Sequence, residues 1–333
     1  MQNIGKHSSK LNTETELNNF VIKTFALPKE YSPLLAKAAK HNTYVETISD
    51  KADNLHLKIK ENYLETLPLE YFHYVKQILR QKRLGTVDLI GDVTEEDYYG
   101  KVSGLHIIPW TGEDGIEGKF CYLVISILFR NKMLPIYAVL LHLGQSKAEV
   151  IGKAINLCQE LGLKIGKIML DRGFYSGAII DELKMRKINY LIFVPKKTLF
   201  KCMLEGTDKS VVIEHVIKYN ANFTVNKVET EIALIKEVVG YDWVFATNLG
   251  FMDIKRYVRI YRRRWNIETM FRIHDEARIK TKSKVPIVRL FYFLISMLLM
   301  FIWSLVEKNK ITFKLFVIML FGESKTIAPQ KAV

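Results

Sequence analysis

Residues 86–94 read TVDLIGDVT, a short run of β-branched and aliphatic residues that follows Gly85 and gives way to the polar stretch EEDYYG. Such a run, bounded by glycine on one side and charge on the other, is expected to be a β-strand. Two further apolar runs follow, 105–110 and 120–129, separated by the turn-rich stretch 111–119, so three consecutive strands are expected. Residues 146–163 then space their apolar positions as an amphipathic helix does. Residues 167–170 (KIML) form a short buried strand ending at Asp171, 176–186 a second helix, and 190–194 (YLIFV) another strand.

The resulting order, β-β-β-α-β-α-β, is the mixed α/β pattern of the RNase H-like, or retroviral integrase-like, fold, a mixed sheet flanked by helices. A doubly wound parallel sheet would alternate strand and helix from the start, and the opening meander argues against it. Residues 198–249 break the alternation with candidate strands at 211–217, 223–228, 232–239 and 243–247. They are expected to be a β-rich insertion and not a separate domain. A long basic helix is expected over 253–275. Upstream, residues 1–84 are mixed in polarity, punctuated by Pro28, Pro33 and Pro68, and are expected to form a small helical region that binds DNA or dimerises.

Bulk composition narrows the class. A hydrophobic fraction of 49% in 333 residues excludes a largely disordered chain. The net charge of +14 suggests a polyanionic partner, nucleic acid or an anionic membrane surface. Residues 251–290 hold 12 Lys/Arg against 4 Asp/Glu, a net of +8, whereas residues 1–85 carry only +4. A phosphate-binding surface would concentrate charge in this way; a solvated helix face is the other reading. The three cysteines, Cys121, Cys158 and Cys202, are widely spaced, with no C-x-x-C pair. This gives little support to a disulfide framework or a zinc site and fits a reducing, intracellular setting; a cytoplasmic location is expected, nucleoid-associated if the polyanionic partner is nucleic acid. The polar residues 1–10 have no apolar core of the signal-peptide kind. Residues 290–306, LFYFLISMLLMFIWSLV, make an apolar run of 17 residues, just short of the roughly 20 that a membrane span needs. The run is expected to be a buried core helix, with a membrane span as the alternative.

Three acidic residues stand where metal-dependent phosphoryl chemistry wants them. Asp92 is expected at the end of the first strand, in IGDVTEEDYYG, Asp171 directly after the fourth, in IMLDRGFYS, and Glu268 on the basic helix, in YRRRWNIETMFR. The first and fourth strands of such a sheet are neighbours, so residues distant in sequence can converge. Magnesium prefers hard oxygen ligands and keeps several waters, so a few carboxylates suffice. Two ions about 4 Å apart activate the attacking oxygen and stabilise the departing one. Singly, each acid has a plainer role: turn or cap for the aspartates, and an i,i+4 pair with Arg264 for Glu268. Asp88, on the same face of the strand, competes with Asp92. Arg172 and Tyr175, beside Asp171, either touch DNA or shape the turn. Trp243 is expected in the core, and His106, His142 and His274 are expected to be ordinary residues.

The block YRRRWNIE, with Tyr261, Arg264 and Glu268, resembles the Y-x2-R-x3-E-x6-K signature of insertion-sequence DDE transposases. LDRGFYS resembles the same family's second-aspartate block and DVTEEDYYGK its first. The resemblance is nearest to the archaeal-type branch, covers about residues 85–307, and implies strands inserted between Asp171 and Glu268, where 96 residues lie. It implies a catalytic domain over 85–307 followed by a tail, 308–333. Within that domain Asp92, Asp171 and Glu268 would be the catalytic metal ligands for two Mg²⁺ or Mn²⁺ ions, and Tyr261 and Arg264 would contact phosphates. Arg263 and Arg272 on the helix, Arg172 beside Asp171, and Lys280 and Lys282 beyond are expected DNA contacts as well. The partners implied are double-stranded DNA, as terminal inverted repeats and as target, and further copies of the chain in a homodimer or larger synaptic assembly, with no membrane. The activity implied is cleavage at element ends and joining of 3′ ends to target DNA. One position departs: the final Lys of the signature falls on Asp275, with Lys280, Lys282 and Lys284 nearby. A non-catalytic DNA-binding remnant and a structure-specific DNA nuclease of the same fold are the alternatives.

Overall fold

The structure, a computed structural model, describes residues 31–59, 64–80, 82, 84–112, 115–129, 132–221, 223–251, 253–305 and 311–321. Residues 1–30, and most of the expected tail, lie outside the described residues. The chain divides into two units, residues 72–272 and residues 1–71 with 273–333.

The first of these is built on strands β1 (Thr86–Tyr98), β2 (Ile108–Pro109), β3 (Gly118–Phe129), β4 (Lys132–Leu140), β5 (Lys164–Leu170), β6 (Tyr190–Phe193), β7 (Val211–Ala221), β8 (Thr224–Val238) and β9 (Tyr241–Thr247). Helices α1 (Lys147–Glu160), α2 (Gly177–Met185), α3 (Thr198–Glu205), α4 (Lys255–Tyr261) and α5 (Trp265–Asp275), the last as far as Arg272, connect or follow them. Among the described residues the nine strands belong to one mixed sheet, in which β3-β1-β5-β6-β9-β8-β7 are successive neighbours and both β2 and β4 pair with β3. β1 is antiparallel to β3 and parallel to β5, and β5 is parallel to β6. From β6 onward the pairing is antiparallel. The sequence explains the centre: β3 is apolar along most of its length because eleven of its twelve positions are buried. Leu123, Val124, Ile125 and Ile127 have no exposed surface, and each such side chain contributes about 1.5–3 kcal/mol by leaving water.

The helices start where their side chains can satisfy the first free N–H groups. Ser146 caps α1 by accepting from the Glu149 N–H, and Ser176 caps α2 by accepting from the Ile179 N–H. At the start of α2 a Cβ on Gly177 would lie 2.4 Å from Cδ1 of Tyr219 and 2.8 Å from its Cγ. The Tyr219 hydroxyl donates to Asp181 at 2.6 Å, so the ring is tied in place. Gly177→Ala is therefore expected to lower stability by about 1–3 kcal/mol. The loss would appear as a lower urea midpoint with an unchanged slope; an unchanged midpoint would mean that Tyr219 moves aside freely.

Several sequence expectations change in detail. The strand expected over 105–110 shrinks to Ile108–Pro109, and a strand not foreseen, β4, pairs with β3. Its Pro135 sits opposite Ser126, where the β3–β4 register shifts; a bulge on an outer strand is where a proline, lacking an N–H, is tolerated. The candidates 223–228 and 232–239 are one long strand, β8, and α3 lies within the stretch expected to be purely β-rich. That stretch extends the main sheet through the β6–β9 pairing. The single helix expected over 253–275 is two helices joined by a 3-10 turn, Arg262–Arg264.

The second unit contains helices Ser32–His41, Val45–Ile48, Lys51–Lys58, Pro286–Leu305 and Phe313–Phe321. Helix Pro286–Leu305 is long and apolar enough to cross a membrane by length and composition, and 94% of its most apolar window is buried in the protein. At its middle the Ser296 hydroxyl is satisfied: Oγ accepts from the Ile279 N–H at 2.8 Å and donates to the Tyr292 carbonyl at 3.0 Å. Nearby, Glu46 accepts from the Thr281 hydroxyl and the Lys282 N–H at 2.6 and 2.8 Å.

Candidate active site

The parallel pairing of β1 and β5 ends with Gly91 opposite Leu170. The next residue on each strand is an aspartate, Asp92 and Asp171, so the register itself puts two carboxylates side by side. Asp92 is not at the end of its strand, as expected, but at its middle. β1 runs on to Tyr98, paired with β3 alone, after β5 has stopped. The site opens where the parallel neighbour ends. Asp171 begins the 3-10 turn Arg172–Phe174 but makes no side-chain cap there, which leaves its carboxylate for other partners.

Those partners come from the segment 261–268. In a 3-10 turn residues i and i+3 eclipse, and in an α-helix i and i+4 share a face. The break between α4 and α5 uses both spacings, setting Tyr261, Arg264 and Glu268 in a row. The Arg264 Nε donates to the Tyr261 hydroxyl at 3.0 Å, its Nη1 to Asp92 at 2.8 Å and its Nη2 to Glu268 at 2.7 Å. Nη2 also stands 3.6 Å from Asp171, to which the Tyr261 hydroxyl donates at 3.2 Å. All three acids singled out from the sequence thus converge on one guanidinium. Side-chain exposure rises from 4% at Arg264 through 14% at Asp92 and 31% at Asp171 to 56% at Glu268, so the cluster opens to solvent on the Glu268 side.

Electrostatics follow from this gradient. Burial opposes the Arg264 charge, but Tyr261 and the three carboxylates outweigh it and hold its pKa above the ordinary value. Burial pushes the Tyr261 hydroxyl far up, so it is a proton donor throughout the working range. Burial also raises the Asp92 carboxyl above 3.8, with Asp171 adding to the rise and Arg264 and the Val93 N–H acting against it. A carboxyl whose folded pKa is raised stabilises the fold at low pH and loses that contribution as pH rises through the raised value. Melting temperatures of wild type and Asp92→Asn, compared from about pH 4 to about pH 7, are expected to diverge in favour of the variant as pH rises. The opposite slope would mean that Asp92 does not hold its proton in this way.

The donor set, three hard carboxylate oxygens around a single positive charge, suits a divalent ion such as Mg²⁺. In the present arrangement they surround Arg264, and among the described residues no three acidic or ligating side chains stand close enough to hold an ion. Asp88 is committed elsewhere, to Lys167 at 2.8 Å and Arg263 at 3.6 Å, and it is Asp92 that meets Arg264. Arg172 and Arg272 are exposed, and Tyr175 packs edge-on against Phe200. Trp243 is buried, stacked on Phe245 with its indole N–H on the Val238 carbonyl. Lys280, Lys282 and Asp275 belong to the other unit. There the Lys280 carbonyl accepts from the Val45 N–H, and the Lys282 ammonium lies over the Tyr44 ring. Burial acts to raise the Asp275 carboxyl, yet His274, Arg278 and Lys280 prevail and hold it below its usual range.

A feature that sequence reasoning missed lies on the first unit. A cavity of about 620 Å³ is lined by Lys255, Arg259, Arg262, Arg263, Trp265 and Asn266, with Val238, Val239 and Val258 as its apolar wall. Trp265 is 41% exposed, and the Arg262 guanidinium sits 5.2 Å from its ring centre. The available signal was the position of Trp265 within RRRW, one residue after buried Arg264, where the helix turns outward.

A family model described as "Transposase DDE domain" matches residues 106–300. That range takes in Asp171, Tyr261, Arg264 and Glu268 and begins after Asp92. Among solved structures the chain is similar in fold to a piggyBac transposase in a synaptic complex with hairpin DNA. The TM-score is 0.52 at 12% identity, over 82% of this chain and 59% of that one. This chain therefore spans less than two thirds of that protein's length. No curated protein matches the sequence.

Proposed function

Because this chain belongs to the transposase DDE domain family, we propose that Asp92, Asp171 and Glu268 are the catalytic centre of a DNA transposase that cleaves element ends and joins their 3′ ends to target DNA. The observation that carries this reading is the convergence of the three acids, from β1, the end of β5 and α5, on one partly open point. The sheet order β4-β3-β1-β5-β6 supports an RNase H-like core, with β7–β9 as the inserted strands. Mg²⁺ or Mn²⁺ bound by these carboxylates, two ions in the full site, would supply the charge that activates the attacking oxygen and stabilises the leaving one.

The protein's own residues do the rest. Tyr261 keeps a hydroxyl hydrogen on the Asp171 carboxylate and so orients it. The groove of Lys255, Arg259, Arg262 and Arg263 offers cations to phosphates, and arginine's planar fork binds phosphate oxygens in pairs. Trp265, exposed at the groove, offers a face to an unpaired base. The fold likeness to a transposase caught with hairpin DNA favours a double-stranded DNA partner, and self-association to bridge two ends goes with it. Helix Pro286–Leu305 is read as core, in keeping with its 94% buried window.

Asp275 at the signature's last position favours a second reading, a DNA-binding remnant without activity. A joining assay on labelled DNA carrying the element's own flanking ends separates the readings. Metal-dependent products that contain donor and target support transposition. Hydrolysis without joint products indicates a nuclease, and tight end binding with no products indicates the remnant.

A further inference from the structure

We infer that Arg264 is the resting counter-ion of the three-carboxylate centre, and that a divalent cation gains the site only when the Arg264 guanidinium leaves it. The inference rests on the proposed catalytic reading of Asp92, Asp171 and Glu268. Its basis is that one side chain stands within ion-pair distance of all of them: hydrogen-bonded to Asp92 at 2.8 Å and Glu268 at 2.7 Å, and 3.6 Å from Asp171. A metal ion needs the same oxygens at about 2.0–2.1 Å in octahedral array. The guanidinium now fills the space between them, and the carboxylates are spread around it with no metal-holding trio among the described residues. A +2 ion added beside the retained +1 charge would be repelled at contact distance. The two cations therefore exchange and do not share the site.

Tyr261 is the latch of this arrangement. Its hydroxyl accepts from Arg264 Nε at 3.0 Å and donates to Asp171 at 3.2 Å, fixing the guanidinium at a nitrogen other than the Nη1 that Asp92 holds. The way out is past Glu268, the most exposed of the acids at 56%. A state in which Arg264 fills the site lowers apparent metal affinity by the fraction of molecules so occupied. Without metal the same contact offsets part of the mutual repulsion of three neighbouring carboxylates, which gives the arginine a stabilising role in the resting protein.

The test is a Mn²⁺ titration of the full chain without DNA, with free Mn²⁺ followed by its paramagnetic resonance signal. Arg264→Gln is expected to bind Mn²⁺ about tenfold more tightly than wild type, as removal of a closed state populated about 9:1 requires. Tyr261→Phe, which frees the latch but keeps every charge, is expected to shift affinity the same way by less. Equal or weaker binding in folded Arg264→Gln would overturn the inference. Should that variant fail to fold, unchanged affinity in Tyr261→Phe would do so. The double variant Asp92→Asn with Arg264→Gln is expected to lose the gain. If it binds as tightly as Arg264→Gln alone, the metal sits elsewhere, and the catalytic reading itself falls.

Discussion

In Asp92→Asn, Asp171→Asn and Glu268→Gln, metal-dependent cleavage and joining of DNA ends are expected to fall by about 10³-fold or more. Each change keeps the shape of the side chain and removes a charged oxygen ligand. Charge stabilisation by a bound metal is worth several kcal/mol in the transition state, and each 1.36 kcal/mol is tenfold in rate. The three effects should be graded. Asp92 is the most enclosed at 14% exposure and accepts the Val93 N–H, so water cannot readily replace it. Glu268, at 56%, faces solvent and has most room for compensation. Quantified products from labelled DNA are expected to rank wild type far above Glu268→Gln, with the aspartate variants lowest. Retention of activity in Asp92→Asn would remove Asp92 from the catalytic set and reopen the question of Asp88.

The second large effect concerns the groove. Replacing Lys255, Arg259 and Arg262 together by Gln should lower DNA affinity and flatten its salt dependence by about 0.9 log unit per cation removed, or about 2.7 for the triple variant. These residues are chosen because Arg263 is shared with Asp88 and Arg264 is enclosed among carboxylates. Among the described residues the one ion pair of the three, Arg259 with Asp253 at 3.7 Å, is exposed and worth little. Trp265→Ala should leave the slope alone while weakening binding by about 1–3 kcal/mol if the ring stacks on a base. Fluorescence anisotropy at several salt concentrations distinguishes the two. An unchanged slope in the triple variant would mean that the phosphates run elsewhere.

Much of this centre was legible before any coordinates. The blocks LDRGFYS and YRRRWNIE carried the family, and apolar runs ending in aspartate carried the neighbouring strands, because parallel pairing and burial write themselves into β-branched composition. The i,i+4 spacing of Arg264 and Glu268 also showed that these two share a face. What could not be read was the occupant of that face. YRRRWNIE holds no glycine or proline to announce the 3-10 turn at Arg262–Arg264. Local propensity favours one continuous helix, and the turn coincides with the burial of Arg264 against acids 172 and 93 residues away in sequence. Strand β4 stayed hidden because Pro135 argues against a strand unless its edge position and bulge are known. The join at β8 was missed for a similar reason: the polar residues Glu229 and Glu231 look like a break, yet they lie within the ladder opposite Val216 and Glu214.

The central claim, that Asp92, Asp171 and Glu268 together hold divalent metal, is tested most directly by cleavage of the polypeptide itself. Fe²⁺ at saturating concentration, with ascorbate and peroxide, generates radicals that cut the backbone beside the bound ion, and the fragments locate it without reliance on DNA or activity. Fragments ending near residues 92, 171 and 268, suppressed by excess Mg²⁺ and absent in Asp92→Asn, are the predicted result. Cuts at other positions, or a pattern that Asp92→Asn leaves unchanged, would contradict it.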